Sequence, residues 1–396
     1  MDRGVPALDA GAVSEYQYYE FMAVDRPLDR AQMAELRALS TRARITPSSF
    51  VNEYHWGNFR GDPCRMVEAY FDAFLYLANW GTHQVMFRLP TRLLDPAVAG
   101  EYCAGDSARA WTGGEHVVLD LSSQDEDGED WIEPEGLLAT IVPVRAELAE
   151  GDLRGLYLAW LACVRAGELA DEVPEPPVPP GLGALNAAQR CLADFLRVDE
   201  DLLAVAASAS APLAAKQPPA AELSRWVRAM PATDKDAILM RLLSGDDAHL
   251  RTELLRRFGS QPVAVNGGDR RTVAQLLDAA ETRRTGRRRE AERRRAADQA
   301  RRERAATAAR EKHLQDLSSR HEQAWQQVDT LIDTKRPREY DAAVVLLQDL
   351  QAVGDRDGGA DAFRRRLGEL RRRHQRKPSL IERLDRAGLT ERVGSR

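Results

Sequence analysis

The chain has 396 residues, 43% of them apolar and 30% charged, with a formal net charge of −6. That is enough for two or three domains with buried cores, and the composition excludes a fibrous or low-complexity protein. The charge is unevenly divided. Residues 1–182 hold 14 Lys+Arg against 30 Asp+Glu, a balance of −16, and residues 183–396 hold 42 against 32, a balance of +10.

The acidic first region, residues 1–172, reads as α+β. It opens on MDRGVPALDAGAVSEYQYY, which lacks the basic start and unbroken apolar run of a signal peptide. EYQYYEFMAV is rich in aromatics and predicts a strand. DRPLDRAQMAELRAL predicts a helix, with Pro27 and Asp29 as start signals and Met33, Leu36 and Leu39 on one stripe. SSFVNEYHW predicts a second strand, DPCRMVEAYFDAFLYLANW an amphipathic helix starting near Pro63, and HQVMFRLP a third strand. ARAWTGG and EHVVLDLSS read as a hairpin turning at Gly113 and Gly114. The order points to an α+β sandwich, of which the ferredoxin-like arrangement is one form. After the acidic loop QDEDGEDWIEPEG come helical patterns in LLATIVPVRAELAEG and LRGLYLAWLACVRAGEL.

The rest of the chain reads as all-α. DEVPEPPVPPGLG (residues 171–183) cannot continue a helix and reads as a semi-rigid linker over 173–183. Residues 184–282 predict short amphipathic helices in ELSRWVRAM, TDKDAILMRLLSG, DAHLRTELLRRFG and RRTVAQLLDAAE, with Gly245 and Gly259 at cap positions. The longest apolar stretch, LLAVAASASAPLAA, is broken by Ser208, Ser210 and Pro212 and falls short of the roughly 20 residues that cross a bilayer. A soluble, cytoplasmic protein is expected, with no membrane partner.

Residues 283–396 predict a long arginine-rich helix and a small helical bundle. GRRREAERRRAADQARRERAATAAREKH has no Leu or Ile at heptad a and d positions, which excludes an ordinary coiled coil. Its Ala, Arg and Glu favour helix. Glu290 with Arg294, Asp298 with Arg302 and Glu292 with Arg295 fall at helical pairing distance. An apolar seam follows at Leu314, Leu317, His321, Ala324, Val328 and Leu331, and REYDAAVVLLQDLQAV after the KRP turn can supply its partner. DAFRRRLGELRRRHQRK makes a further helix. YDAAVVLL resembles the second helix of a tetratricopeptide hairpin, although one hairpin does not make a repeat.

Three stretches, YQYYEF, STRARITPSSFVNEYHWGNFRGDP and the KPSLIERLDRAGL ending, carry a wider resemblance. On them, most of the chain resembles an uncharacterised bacterial protein family. The resemblance implies no activity, because none is attached to that family.

STRARITPSSFVNEYHWGNFRGDP (residues 40–63) is the densest chemistry in the chain. Glu53, His55 and Asp62 could share an acid–base or metal site, and His83 and His116 lie in strands of the same domain. Strand parity argues against convergence. His83 shares a face with Val85, Phe87 and Leu89, whereas His116 lies opposite Val117, Leu119 and Leu121. In FVNEYHW, Phe50, Tyr54 and Trp56 share one face, leaving Glu53 and His55 on the other. The simpler reading is a strand with an aromatic core face; the sharper one is a binding surface made by Arg42, Arg44, Glu53, His55 and Arg60.

Other motifs fail on spacing. The acidic loop lacks the bidentate glutamate of a calcium loop, because Pro134 falls at its twelfth position. GLGALN has Asn186 where a dinucleotide motif has its third glycine. Cys64, Cys103, Cys163 and Cys191 form no CxxC. No metal and no cofactor is expected. The aromatics of EYQYYEF could stack bases, but the acidic field around them repels phosphate.

The leading expectation is therefore a non-enzymatic interaction or scaffold protein. It would act through its helical C-terminal half, by self-association or with a protein partner, along the seam of Leu314, Leu317, Val328 and Leu331. The alternative is an accessory nucleic-acid-binding protein using Arg287, Arg288, Arg289, Arg293, Arg294, Arg295, Arg301 and Arg302. An enzyme with a site near Glu53, His55 and Arg60 is the third reading.

Overall fold

The computed structural model describes residues 15–125, 132–213, 220–244, 249–259 and 270–390. The acidic loop at 126–131 and Gly245 lie outside these. An α+β front is followed by an all-helical back half. The chain divides into two compact units, residues 1–286 and 287–396.

The first unit is built on one antiparallel sheet. Its strands are β1 (Gln17–Met22), β2 (Arg44–Ile45), β3 (Ser49–Tyr54), β4 (Ala73–Ala78), β5 (Thr82–Pro90), β6 (Ala108–Gly113) and β7 (His116–Gln124). Their spatial order is β2-β3-β1-β4-β5-β7-β6. A ferredoxin-like sandwich is threaded through split β-α-β units. Here helix α1 (Arg30–Leu39) leads from β1 back to β3, which pairs directly and antiparallel with β1, so the sheet is ordered differently.

Both faces of the sheet are buried. Tyr18, Leu75, Leu77, Val85, Phe87, Leu119 and Leu121 point into one core, while Tyr19, Phe21, Phe50, Phe74, Met86 and Val118 point into another. The second core is closed by α1 through Leu36 and by α2 (Pro63–Ala69) through Met66 and Val67. Asp29 starts α1 as expected. Its carboxylate accepts from Gln32 N at 2.8 Å, and the Gln32 side chain accepts from Asp29 N at 3.0 Å, a reciprocal cap.

Burial on both faces explains one correction. DPCRMVEAYFDAFLYLANW was expected as one helix, but the helix ends at Ala69 and AFLYLA forms β4. A strand buried on both sides is apolar throughout, and a short apolar run has the same periodicity in helix and strand. Asp72 fixes the break: its carboxylate accepts from Val24 N at 2.7 Å and Asp25 N at 2.8 Å.

The first core is covered by α3 (Pro96–Tyr102), α4 (Leu137–Ile141), α5 (Pro143–Ala149), α6 (Arg154–Arg165), α7 (Ala187–Phe195), α8 (Glu200–Ser208) and the start of α12 (Val273–Ser319). Between them in sequence lie α9 (Ala220–Ala229), α10 (Ala232–Ser244) and α11 (Leu250–Gly259).

The proline-rich segment is not a spacer, a second correction. Glu175 is buried and accepts from Arg271 at 2.7 and 2.8 Å and from the Tyr157 hydroxyl. Tyr102 donates to Pro177 O at 2.8 Å, and Val273 N donates to Val173 O at 3.0 Å. Leu182 and Leu192, beyond the prolines, belong to the same core as the sheet.

The second unit holds the remainder of α12 with α13 (His321–Asp333), α14 (Pro337–Asp357), α15 (Ala360–Arg373) and α16 (Pro378–Arg386). The predicted seam is its core, with Leu317, Ala324 and Val328 buried and Leu314 and Leu331 partly so. Its partner is the chain's own α14, through Ala343, Leu347 and Leu350. His321 is exposed, because the helix breaks at Arg320 and Trp325 turns inward instead. Trp325 packs 5.7 Å from the Phe363 ring, with the Arg366 guanidinium 4.7 Å over it.

Two outcomes follow from these cores. Trp325→Ala should cost about 3–5 kcal/mol, lowering the calorimetric transition of the second unit and leaving that of the first unchanged. Leu317→Asp should unfold the same unit instead of dissociating an assembly. In the first unit, Arg145 is buried and donates to Asp25 at 2.8 and 2.5 Å and to Arg88 O at 2.7 Å. Burial pushes the Asp25 carboxyl upward, but hydrogen bonds from His249 and Arg145 outweigh it and hold it below the usual carboxylate range. Arg145→Met should cost about 3 kcal/mol at neutral pH. That deficit should narrow as pH falls below about 4, because a carboxylate whose folded value is depressed loses its contribution on acidification. Urea titrations across pH would check both.

Candidate functional site

The residues of the 40–63 stretch lie near one another but do not form a shared site. Arg44 sits in the two-residue β2 and its guanidinium is 3.6 Å from the Glu53 carboxylate, both exposed. β3 ends at Tyr54, so His55 lies beyond it, exposed, with its ring 5.2 Å from that of Tyr16. Asp62 caps α2, accepting from Cys64 N at 3.0 Å and Arg65 N at 3.3 Å. Among the described residues no hydrogen bond or ion pair joins His55 to Glu53 or Asp62. Arg60 is exposed in the loop before α2.

Trp56 corrects the expected aromatic face. It is 67% exposed, under the Arg42 guanidinium at 4.6 Å. The chain bends after Tyr54, and Phe59 takes the inner position, 5.7 Å from Phe50 and 5.1 Å from Tyr19. Arg42 and Trp56 are a surface cation–π pair.

The histidines stay apart, as parity required. His83 is buried, stacked 4.8 Å from Phe195, with Nδ1 2.8 Å from Phe195 O and Nε2 3.1 Å from Arg197. Burial pushes its pKa down. In the β5–β7 register His83 pairs with Ser123 and His116 with Pro90, seven residues apart. At about 3.4 Å per residue that separates them by more than 20 Å.

One open groove of about 570 Å³ lies beside β6, lined by Cys64, Cys103, Arg109, Trp111 and Asp120. Its polar groups are already engaged. Asp120 accepts from Arg109 at 2.6 Å and Gln84 at 2.7 Å, and Trp111 donates to Glu68 at 2.7 Å. Burial pushes the Cys103 thiol up to about 12 and raises Cys64 as well. Neither is an activated nucleophile, since that role needs a lowered thiol pKa. Among the described residues no group of three or more His, Cys, Asp and Glu could hold a metal ion, and no helix is long and apolar enough to cross a membrane.

Two surfaces on the helical half are less engaged. On α9 and α10 no side chain is buried, and Leu239, Met240, Leu242 and Leu243 are exposed, Leu243 by 80%. Sequence periodicity predicted the helix but not its exposure, which depends on what packs against it. On α12, residues 286–299 and 301–313 are exposed all round. None of the expected pairs Glu290–Arg294, Asp298–Arg302 and Glu292–Arg295 forms an ion pair; Asp298 instead meets Arg301 at 3.5 Å.

The bundle differs sharply from the rod in this respect. Residues 287–396 hold 28 Lys+Arg against 19 Asp+Glu, a surplus of 9. In the bundle, Arg366 pairs with Glu322, Arg371 with Asp385, Arg373 with Asp329 and Arg383 with Asp341. At the rod's end, Asp349 takes both Arg310 and His313, at 2.5 and 2.7 Å. Among the described residues Arg288, Arg289, Arg293, Arg294, Arg295, Arg302 and Arg304 have no acidic partner within 4.0 Å. Positive surplus is therefore concentrated on the middle of α12.

No family model, curated protein or solved structure matches the chain. At the 40–63 stretch, Arg44→Gln and His55→Ala should each change the unfolding free energy by less than about 1 kcal/mol, the range for exposed pairs. Denaturant titration would show this, and a loss of several kcal/mol would mean that the stretch is structural.

Proposed function

We propose that the protein is a non-enzymatic, cytoplasmic interaction protein working through its helical C-terminal half. One observation carries this reading: the middle of α12 holds a surplus of arginine that packs against nothing. Residues 287–304 hold 9 Lys+Arg against 4 Asp+Glu, so the surplus cannot be cancelled within the helix. An exposed surplus of one charge with no packing role is a candidate surface for a partner of the opposite charge. The exposed apolar residues of α10 are a second candidate surface. The enzyme reading near Glu53, His55 and Arg60 has less support, because each of these groups faces solvent or a structural partner.

The unpaired guanidinium groups also favour a second reading, an accessory nucleic-acid-binding protein acting through the same arginines. Both readings need the rod to hold an acidic partner. Despite its net charge of −6, the full chain should be retained on a heparin column at low salt. A variant with Arg288, Arg294, Arg295, Arg301 and Arg302 changed to Gln should pass through with unchanged helical circular dichroism. A wild-type chain that is not retained would rule out the rod as the interacting surface.

A further inference from the structure

The rod's arginines have a register. Arg287 and Arg288, Arg294 and Arg295, and Arg301 and Arg302 are three adjacent pairs repeating every seven residues. A seven-residue step drifts by only about 20° round a helix, so the pairs stay on one face. Adjacent residues diverge by about 100°, so each pair spreads its two guanidinium groups to either side of that face. The pairs run along about 21 Å of helix. Only Asp298 interrupts the face, paired with Arg301.

We propose that this face grips the two phosphate backbones of B-form DNA from the major groove, without reading sequence. The proposal rests on the interaction reading above and names its partner. A protein partner would need apolar area, and residues 283–313 offer only alanine. Exposed ion pairs alone are each worth about 0–1 kcal/mol. A polyanion needs no apolar contact, because binding is driven by release of condensed counterions. A single strand is disfavoured, because stacking platforms need aromatic rings and residues 283–312 contain none.

Groove dimensions choose between duplexes. An α-helix with its side chains is about 10–12 Å across, and the B-DNA major groove is about 12 Å wide. The major groove of an A-form RNA duplex is deep and narrow. Along 21 Å of axis a DNA duplex carries about 12 phosphates, enough for every arginine of the face. Sequence readout is not expected, since Gln299 is the only amide side chain between residues 283 and 313.

The test is fluorescence anisotropy of the full chain with a mixed-sequence DNA duplex of about 30 base pairs, long enough for the roughly 21 Å face. The same sequence as an RNA duplex, the single strands and polyglutamate serve as competitors. The DNA duplex should bind most tightly, a second unrelated duplex should bind within about threefold, and log K should fall against log salt with a slope of about −5 for six contacts. Changing all six arginines to Gln should weaken binding by at least about 100-fold at low salt. Changing them to Lys, which keeps the charge, should restore it to within about tenfold. Equal or tighter binding of the RNA duplex, a slope shallower than about −2, or an unimpaired Gln variant would overturn the proposal. Tighter binding of polyglutamate would overturn it too, while leaving the broader interaction reading standing.

Discussion

A sheet that is apolar on both faces must be covered twice, and this requirement organises the first unit. Strand β1 shows it most directly: Tyr18 enters one core while Tyr19 and Phe21 enter the other. One cover is light, made by α1 and α2. The other is heavy and gathers helices from far along the chain, up to Val273 and Leu276 at the start of α12. The sheet therefore recruits the proline segment and the helices beyond it, which composition alone would assign to a separate domain. Buried polar residues then fix the joins: Glu175 holds Arg271 and Tyr157, and Arg145 holds Asp25. Such pairs contribute to a single arrangement more than to net stability, because desolvation offsets much of their attraction.

Much of this was legible in the sequence where the signal is local. The Asp29 cap, the hairpin at Gly113 and Gly114 and the seam from Leu314 to Val328 depend on residues a few positions apart. The alternation that turned His83 inward is also local. Elements set by distant partners were not legible. AFLYLA is a strand because Val85 and Phe87 pair beside it, and nothing within its own six residues says so. Glu175 of the proline segment lies buried because Arg271, about a hundred positions later, reaches back to it. Trp56 looked like a core residue until the chain bent at Tyr54 and Phe59 filled the place. The candidate surface on α12 was visible as composition, but which of its charges pair could not be read from spacing. Opposite charges at i and i+4 only permit a contact.

The two halves of the chain handle charge in opposite ways. In the first unit, carboxylates are drawn inward and neutralised one by one, as at Asp25, Asp72 and Asp120. In the second, residues 314–396 hold 17 Lys+Arg against 14 Asp+Glu and residues 287–313 hold 11 against 5, so most of the surplus lies on the rod. The first unit's core takes in Leu276 and Ala280, and the second unit's core takes in Leu317. Neither core includes any residue of 287–313.

The sheet's edges have a consequence for life in a crowded solution. Exposed strand edges are templates for other chains, and long flat ones invite fibrils. Here one edge is β2, only two residues long, beside the charged Glu53 of β3. The other is β6, a six-residue strand carrying Arg109 and ending at Gly113. An incoming strand would find too short a ladder at the first and a guanidinium with a glycine turn at the second. The chain's most apolar structural layer is thus screened from its neighbours, and it can carry an exposed apolar helix elsewhere without the sheet propagating into aggregates.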